Sequence, residues 1–206
     1  MTYLTLQSAL LSLEVKPSYH QRSLEAIQDA RYGIACLRKK PEQYTFYLRG
    51  TLATLRCIPD YLLEEFNQEF SLEVPLDNQL DIESFRNRAL ETGNRKATKF
   101  IRIFQKKWQK LLADPEVELL LGQSGERNLI IHRRHNAVTQ VQKIQLNKDQ
   151  RYEDVGEATL HFWDKKENLP TREIADLCEY CLEKLVQFRG ELVFQDWSIK
   201  RRAKRV

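Results

Sequence analysis

The sequence predicts a mainly all-α protein, an antiparallel bundle of about four to five helices with a small β-hairpin before the last helix. Three observations predict it. Apolar residues recur at three- and four-residue intervals over long stretches. Only 7 glycines and 6 prolines punctuate 206 residues. Those breakers fall mostly where a periodic stretch ends or begins. Length and a 42% hydrophobic content suffice for one sizeable core, so residues 1–206 are read as a single helical domain.

In order along the chain, the first helix is expected over 18–40, with Leu24, Ile27, Ala30, Ile34 and Leu37 on one face. Pro41 opens the second, which would bury Tyr44, Tyr47, Leu48, Leu52, Leu55, Ile58 and Leu62 and kink at Pro59. The pair reads as an antiparallel helical hairpin. Residues 71–80 read as a loop, bounded by Pro75 and Asp77-Asn78. A third helix over 82–112 would bury Phe85, Ala89, Phe100, Ile103, Phe104 and Leu111, with an interruption at Gly93, before Asp114-Pro115 breaks the chain. Ser124 is the expected N-cap of a helix over 126–138. The hairpin would pair 144–146 with 158–163 across a polar segment, 147–157. Pro170-Thr171 would then start a final helix with the stripe Ile174, Leu177, Cys178, Cys181, Leu182, Leu185 and Phe188.

With 30% charged residues and no apolar run near 18 residues, the sequence excludes a membrane-spanning helix. A soluble chain in the cytoplasm is expected, since Met1-Thr2-Tyr3-Leu4 lacks the basic start of a secretory signal. Four cysteines are too few for a disulfide framework. Cys178 and Cys181 form a CxxC that zinc could use, with His132 and His135 as further ligands, but both cysteines fall on the apolar stripe of a helix. Core packing is the better reading, and no metal or cofactor is expected.

The formal net charge of +4 conceals a grouping of cations. From Arg86 to Lys110 nine basic residues stand against one acidic residue, Glu91, a balance of +8. A second group, Lys200, Arg201, Arg202, Lys204 and Arg205, forms a basic tail over 200–206. Such clusters concentrate polyanions such as RNA through phosphate contacts that release counterions, although many solvated helix faces are equally basic.

Chemistry concentrates in Glu126-Arg127-Asn128-Leu129-Ile130-Ile131-His132. An arginine followed by a histidine after four to six intervening residues is expected by chance about once in such a chain, but requiring Asn directly after the Arg together with the four-residue spacing lowers that to roughly 0.02. This segment resembles the R-polar-x3-H motif of the HEPN superfamily, the higher eukaryotes and prokaryotes nucleotide-binding domains. The order of elements also resembles that family, from the helices holding Tyr47-Leu48-Arg49-Gly50-Thr51 to the terminal helix holding Leu177-Cys178-Glu179-Tyr180-Cys181. Arg134 stands where some members place a tyrosine two residues after the histidine, which separates this chain from their adenylylation-linked subgroup.

The resemblance implies a metal-independent endoribonuclease, the toxin of a toxin and antitoxin pair. In such a reaction His132 would transfer protons, since imidazole titrates near neutrality. Arg127 would stabilise charge on the phosphate, and Asn128 would orient His132 or bind a ribose hydroxyl. Lys96, Lys99, Arg102 and Lys106 on the basic helix, with Arg133, Arg134 and His135 beside the motif, are the expected RNA contacts. Residues five apart lie about 140° apart around a helix, so Arg127 and His132 do not share a face, whereas Asn128, His132 and His135 do. A cleft between two subunits could collect both, as the resemblance to dimeric HEPN nucleases implies. The competing reading is a non-catalytic RNA-binding or protein-interaction domain whose motif residues merely make caps and salt bridges.

Overall fold

The computed structural model describes residues 20–39, 43–74, 81–122, 138–141, 144–146, 152–154, 159–164 and 169–197. Six helices are found among them: α1 (Gln21–Lys39), α2 (Tyr44–Glu69), α3 (Ile82–Glu91), α4 (Arg95–Leu112), α5 (Pro115–Leu121) and α6 (Ile174–Val193). The fold class is all-α in its main part, as the sequence periodicity predicts. None of these helices is long and apolar enough to cross a membrane.

Helices α1 and α2 pack against each other at close range. A Cβ on Gly33 would lie 2.2 Å from Thr51 Oγ1, so only a glycine lets the two backbones meet there. Pro59 lies inside α2 and is buried, and the helix runs through it, giving up the one amide bond proline cannot make. After α2 the chain turns at Ser71 and Glu73, both with positive φ (50° and 56°). The Asn67 side chain fixes that turn by donating to the Val74 carbonyl (3.1 Å) and accepting from its amide (3.2 Å).

The single helix expected over 82–112 is two. It breaks at Thr92-Gly93-Asn94, where Gly93 adopts φ +62°, and Asn94 caps α4 by accepting from Ala97 N at 3.1 Å. Asp81 caps α3 in the same way, accepting from Ser84 N at 2.7 Å. Asp114 caps α5 and accepts from Tyr180 Oη at 2.6 Å on α6. That bond, partly offset by burial, holds its carboxyl below the usual range.

The core joins α1, α2, α3, α4, α5 and α6. Its centre is aromatic: Phe66 stacks on Phe100 at 4.0 Å, Phe100 meets Phe85 and Phe104, and Phe104 meets Phe188 at 5.2 Å. Phe66, Phe85, Phe100 and Phe104 are fully buried, each contributing about 1.5–3 kcal/mol of transfer free energy. Cys178 and Cys181 lie within this core. Burial pushes the Cys178 thiol up to about 12 and raises Cys181 also, as fits packing residues, and the other zinc candidates, His132 and His135, lie outside the described residues.

Between α5 and α6, where a single hairpin is expected, the described residues form five short strands: β1 (Val138–Val141), β2 (Ile144–Leu146), β3 (Tyr152–Asp154), β4 (Thr159–Asp164) and β5 (Leu169–Glu173). β2 pairs antiparallel with β3, Ile144 opposite Asp154, rather than with 158–163. The shorter connection closes a smaller loop. β4 lies between β1 and β5, with Val138 opposite Phe162 and His161 opposite Glu173. Val138, expected at the end of a helix, therefore begins a strand. Pro170 does not start α6 but sits in β5, an edge strand of this sheet, where a missing N–H is tolerated. The helix expected over 126–138 otherwise lies outside the described residues, as do its Ser124 cap and the basic tail over 200–206.

Candidate nucleic-acid interface

Helix α4 has the sequence Arg95-Lys96-Ala97-Thr98-Lys99-Phe100-Ile101-Arg102 and onward to Leu112, with no acidic residue. Its apolar face, Ala97, Phe100, Ile101, Phe104 and Trp108, is buried in the core. That burial fixes the rotation of the helix and turns the opposite face outward. Arg95, Lys99, Arg102, Lys106 and Lys110 stand at i, i+4, i+7, i+11 and i+15, which confines them to about 80° of arc over about 22 Å of axis. Arg95, Arg102, Lys106 and Lys110 are exposed and Lys99 is half-buried.

The remaining four cations of the +8 stretch have other work or other positions, Arg86 lying on α3. Arg88 donates to the Leu72 carbonyl at 2.8 Å and pairs with Glu91. Lys107 pairs with Glu191 on α6. Lys96, exposed, projects off the stripe at the rim of a recess of about 530 Å³ that also contains Glu69, Asp196 and Trp197. Of the four basic-helix residues expected to contact RNA, then, Lys99, Arg102 and Lys106 form one row and Lys96 does not belong to it.

At its N-terminal end the row borders an open groove of about 460 Å³ between α3 and α4, lined by Leu90, Gly93 and Thr98 beside Arg95, Lys99 and Arg102. Leu90 is 59% exposed there. Lys99 lies over the Trp197 ring, 5.9 Å from its centroid, and donates to the Asp196 carbonyl at 3.4 Å. Trp197 is itself buried against Phe66, Phe70 and Phe100 and donates Nε1 to the Leu192 carbonyl at 3.2 Å. Trp108 is buried as well, with the Arg56 guanidinium over its ring. Neither tryptophan offers a free stacking face.

The expected catalytic residues Arg127, Asn128 and His132, and the neighbouring Arg133, Arg134 and His135, lie outside the described residues.

One ionisable cluster gave no sign of itself in the sequence. Glu65 of α2 is only 2% exposed, yet its carboxylate accepts from Ser23 N (2.7 Å), Ser23 Oγ (2.8 Å) and His20 Nδ1 (3.3 Å). His20 Nε2 faces Glu69 at 3.2 Å. Arg189 of α6 donates to Ser23 Oγ and to the His20 carbonyl, both at 2.8 Å. Burial alone would lower the His20 pKa, but the two carboxylates outweigh it and push the pKa up to about 9. Burial pulls the Arg189 guanidinium below its ordinary value, opposed by the Glu65 charge. Both imidazole nitrogens face carboxylates and the Ser23 hydroxyl is fully buried, so the cluster ties α1, α2 and α6 together rather than performing chemistry. Forty-five residues separate His20 from Glu65, and no local spacing announces the pair.

Comparison with known proteins finds no protein-family model, no curated protein and no solved structure that matches this chain.

Proposed function

We propose that this protein binds RNA along the cationic row of α4 and cleaves it, without a metal, at Arg127, Asn128 and His132. The observation that carries the binding half is the row itself. It is a ridge of Arg95, Lys99, Arg102, Lys106 and Lys110 on a helix with no acidic residue of its own, Glu191 of α6 facing only its Lys110 end. Its neighbours at i+3 and i+4 are all like-charged, each such pair costing roughly 0.2–0.5 kcal/mol. A phosphate backbone relieves that repulsion and releases counterions on binding. The cleaving half rests on the sequence motif and its resemblance to HEPN nucleases.

Reversing Lys99, Arg102 and Lys106 to Glu is expected to weaken RNA binding and flatten its dependence on salt by about 0.7 in log–log slope per lost contact with single-stranded RNA. Anisotropy titrations between 50 and 200 mM salt, roughly the range over which such contacts dominate, measure it. An unchanged slope would mean that the ridge is only a solvated face.

The five-residue offset between Arg127 and His132 favours a site shared by two chains, so a homodimer is expected. Light scattering at micromolar concentration that shows only the 24.4 kDa monomer, with and without RNA, would sink the shared site. An antitoxin protein is the expected partner of such a nuclease. The alternative, a binding domain without cleavage, is separated by incubating the purified chain with mixed cellular RNA in excess chelator. Persistent cutting favours the nuclease, and intact RNA favours the binding domain.

A further inference from the structure

We propose that the groove between α3 and α4 docks an acidic, leucine-bearing segment of a protein partner, and that this segment and RNA exclude each other there. The exclusion rests on the RNA-binding reading above, whereas the docking stands without it. A phosphate backbone explains the cations of α4 but leaves the apolar floor beside them without a role. Leu90 of α3 is 59% exposed in a recess of about 460 Å³ whose other side is formed by Arg95, Lys99 and Arg102. At the turn between the helices a Cβ on Gly93 would meet no atom within 4 Å, so the turn adds no bulk there. A lone exposed leucine is ordinary on a protein surface. One that lines a groove beside three cations suits an apolar side chain flanked by carboxylates.

Charge complementarity identifies the occupant. None of the described residues lining the groove is acidic, and the nearest acid in sequence, Glu91, pairs with Arg88 at 3.4 Å. Among the described residues Arg95 and Arg102 form no ion pair, which leaves two guanidiniums able to grip carboxylates in bidentate fashion. They stand seven residues, about 10 Å of axis, apart, a separation that two turns of an acidic helix match. A nucleobase fits less well. The described lining holds no aromatic ring to stack on, and its one hydroxyl, on Thr98, already donates to the Asn94 carbonyl at 3.0 Å. An open groove also fails to enclose a small molecule. The acidic apolar segments of this chain's own α2 and α5 bury Leu62, Leu63, Phe66, Val117, Leu120 and Leu121 in the core, so neither can serve a second folded copy as the docking segment.

The test uses the full chain and two labelled peptides of about 12 residues, roughly 18 Å as a helix. One carries leucines at i and i+4 among glutamates, and the other has serines in place of the leucines at the same charge. An oligouridylate of about 12 nucleotides, within the usual site sizes for single strands, is the RNA probe. On wild type the leucine peptide should bind about tenfold more tightly than the serine peptide, and Leu90→Gln should remove that difference without changing RNA binding. Leu90 is exposed, so the variant should fold, as circular dichroism checks. Changing Arg95 and Arg102 to Gln should weaken both peptide and RNA, whereas changing Lys106 and Lys110 to Gln should weaken RNA alone. The leucine peptide should displace the oligouridylate. Equal binding of the two peptides, full leucine-peptide affinity in Leu90→Gln, or no binding at about 1 mM peptide overturns the docking site. A peptide and an RNA bound together on one chain overturn the exclusion. RNA that fails to bind a wild type that still takes the leucine peptide overturns the RNA reading and, with it, the exclusion, and leaves the docking site standing.

Discussion

Purified His132→Ala protein is expected to cut RNA about 10² to 10⁴-fold more slowly than wild type, the contribution typical of a positioned acid or base. The motive is the Arg127-Asn128-x3-His132 pattern. Removing the 2'-hydroxyl proton and protonating the departing 5'-oxygen both call for a group that titrates near neutral pH. The wild-type rate should accordingly change with pH around neutrality, products should end in 2',3'-cyclic phosphate, and chelator should have no effect. Arg127→Ala should impair turnover even at saturating RNA, because stabilising the phosphate charge acts on the transition state and cannot be restored by more substrate. Expression of wild type but not of His132→Ala should arrest growth if the chain is the toxin of a pair. Cleavage by His132→Ala at the wild-type rate, with matching circular dichroism, would falsify the catalytic assignment and leave RNA binding alone.

Glu65→Gln should cost the fold about 3 kcal/mol, the usual penalty for leaving a buried charge without its partner. The Glu65 carboxylate accepts three hydrogen bonds and faces His20 and Arg189 in the core of the α1–α2–α6 junction. An amide keeps the shape but not the charge. A urea midpoint indistinguishable from wild type would show that the cluster contributes nothing. His20 adds a pH dependence of definite sign. Its pKa is about 9 in the fold against an ordinary 6.5, so its stabilisation is fully present below pH 6.5 and is lost as pH rises through 9. The geometry gives the reason, since only the doubly protonated ring can donate to both Glu65 and Glu69. Wild type should lose about 2 kcal/mol between pH 6.5 and 9.5, after allowing for the partial exposure of the ring, and His20→Gln should lose far less over the same interval.

Helix periodicity was legible because it is local. Leu48, Leu52, Leu55, Ile58 and Leu62 recur at the spacing of one helix face, and all are buried in α2. Gly93 was legible as a break because few other residues take its positive φ. Strand pairing was not, because the partner of Ile144–Leu146 depends on which of two later segments meets it, and Tyr152–Asp154 lies closer along the chain. Pro170 misled for a related reason: proline suits both the first turn of a helix and an edge strand, and only the neighbour on the other side distinguishes them.

By itself the sequence determined the helical class, the apolar faces, the charge content of α4 and the identity of the motif residues, since each is a property of residue type at short spacing. The tertiary structure decided which cations of α4 form a row, because burial of Phe100, Phe104 and Trp108 sets the rotation of the helix and pairing with Glu191 removes Lys107. It alone brought His20 to Glu65 across forty-five residues and anchored Trp197 beside Lys99. Contacts between distant segments arise from how the helices pack, and packing is settled by the fit of whole faces rather than by any stretch of neighbouring residues.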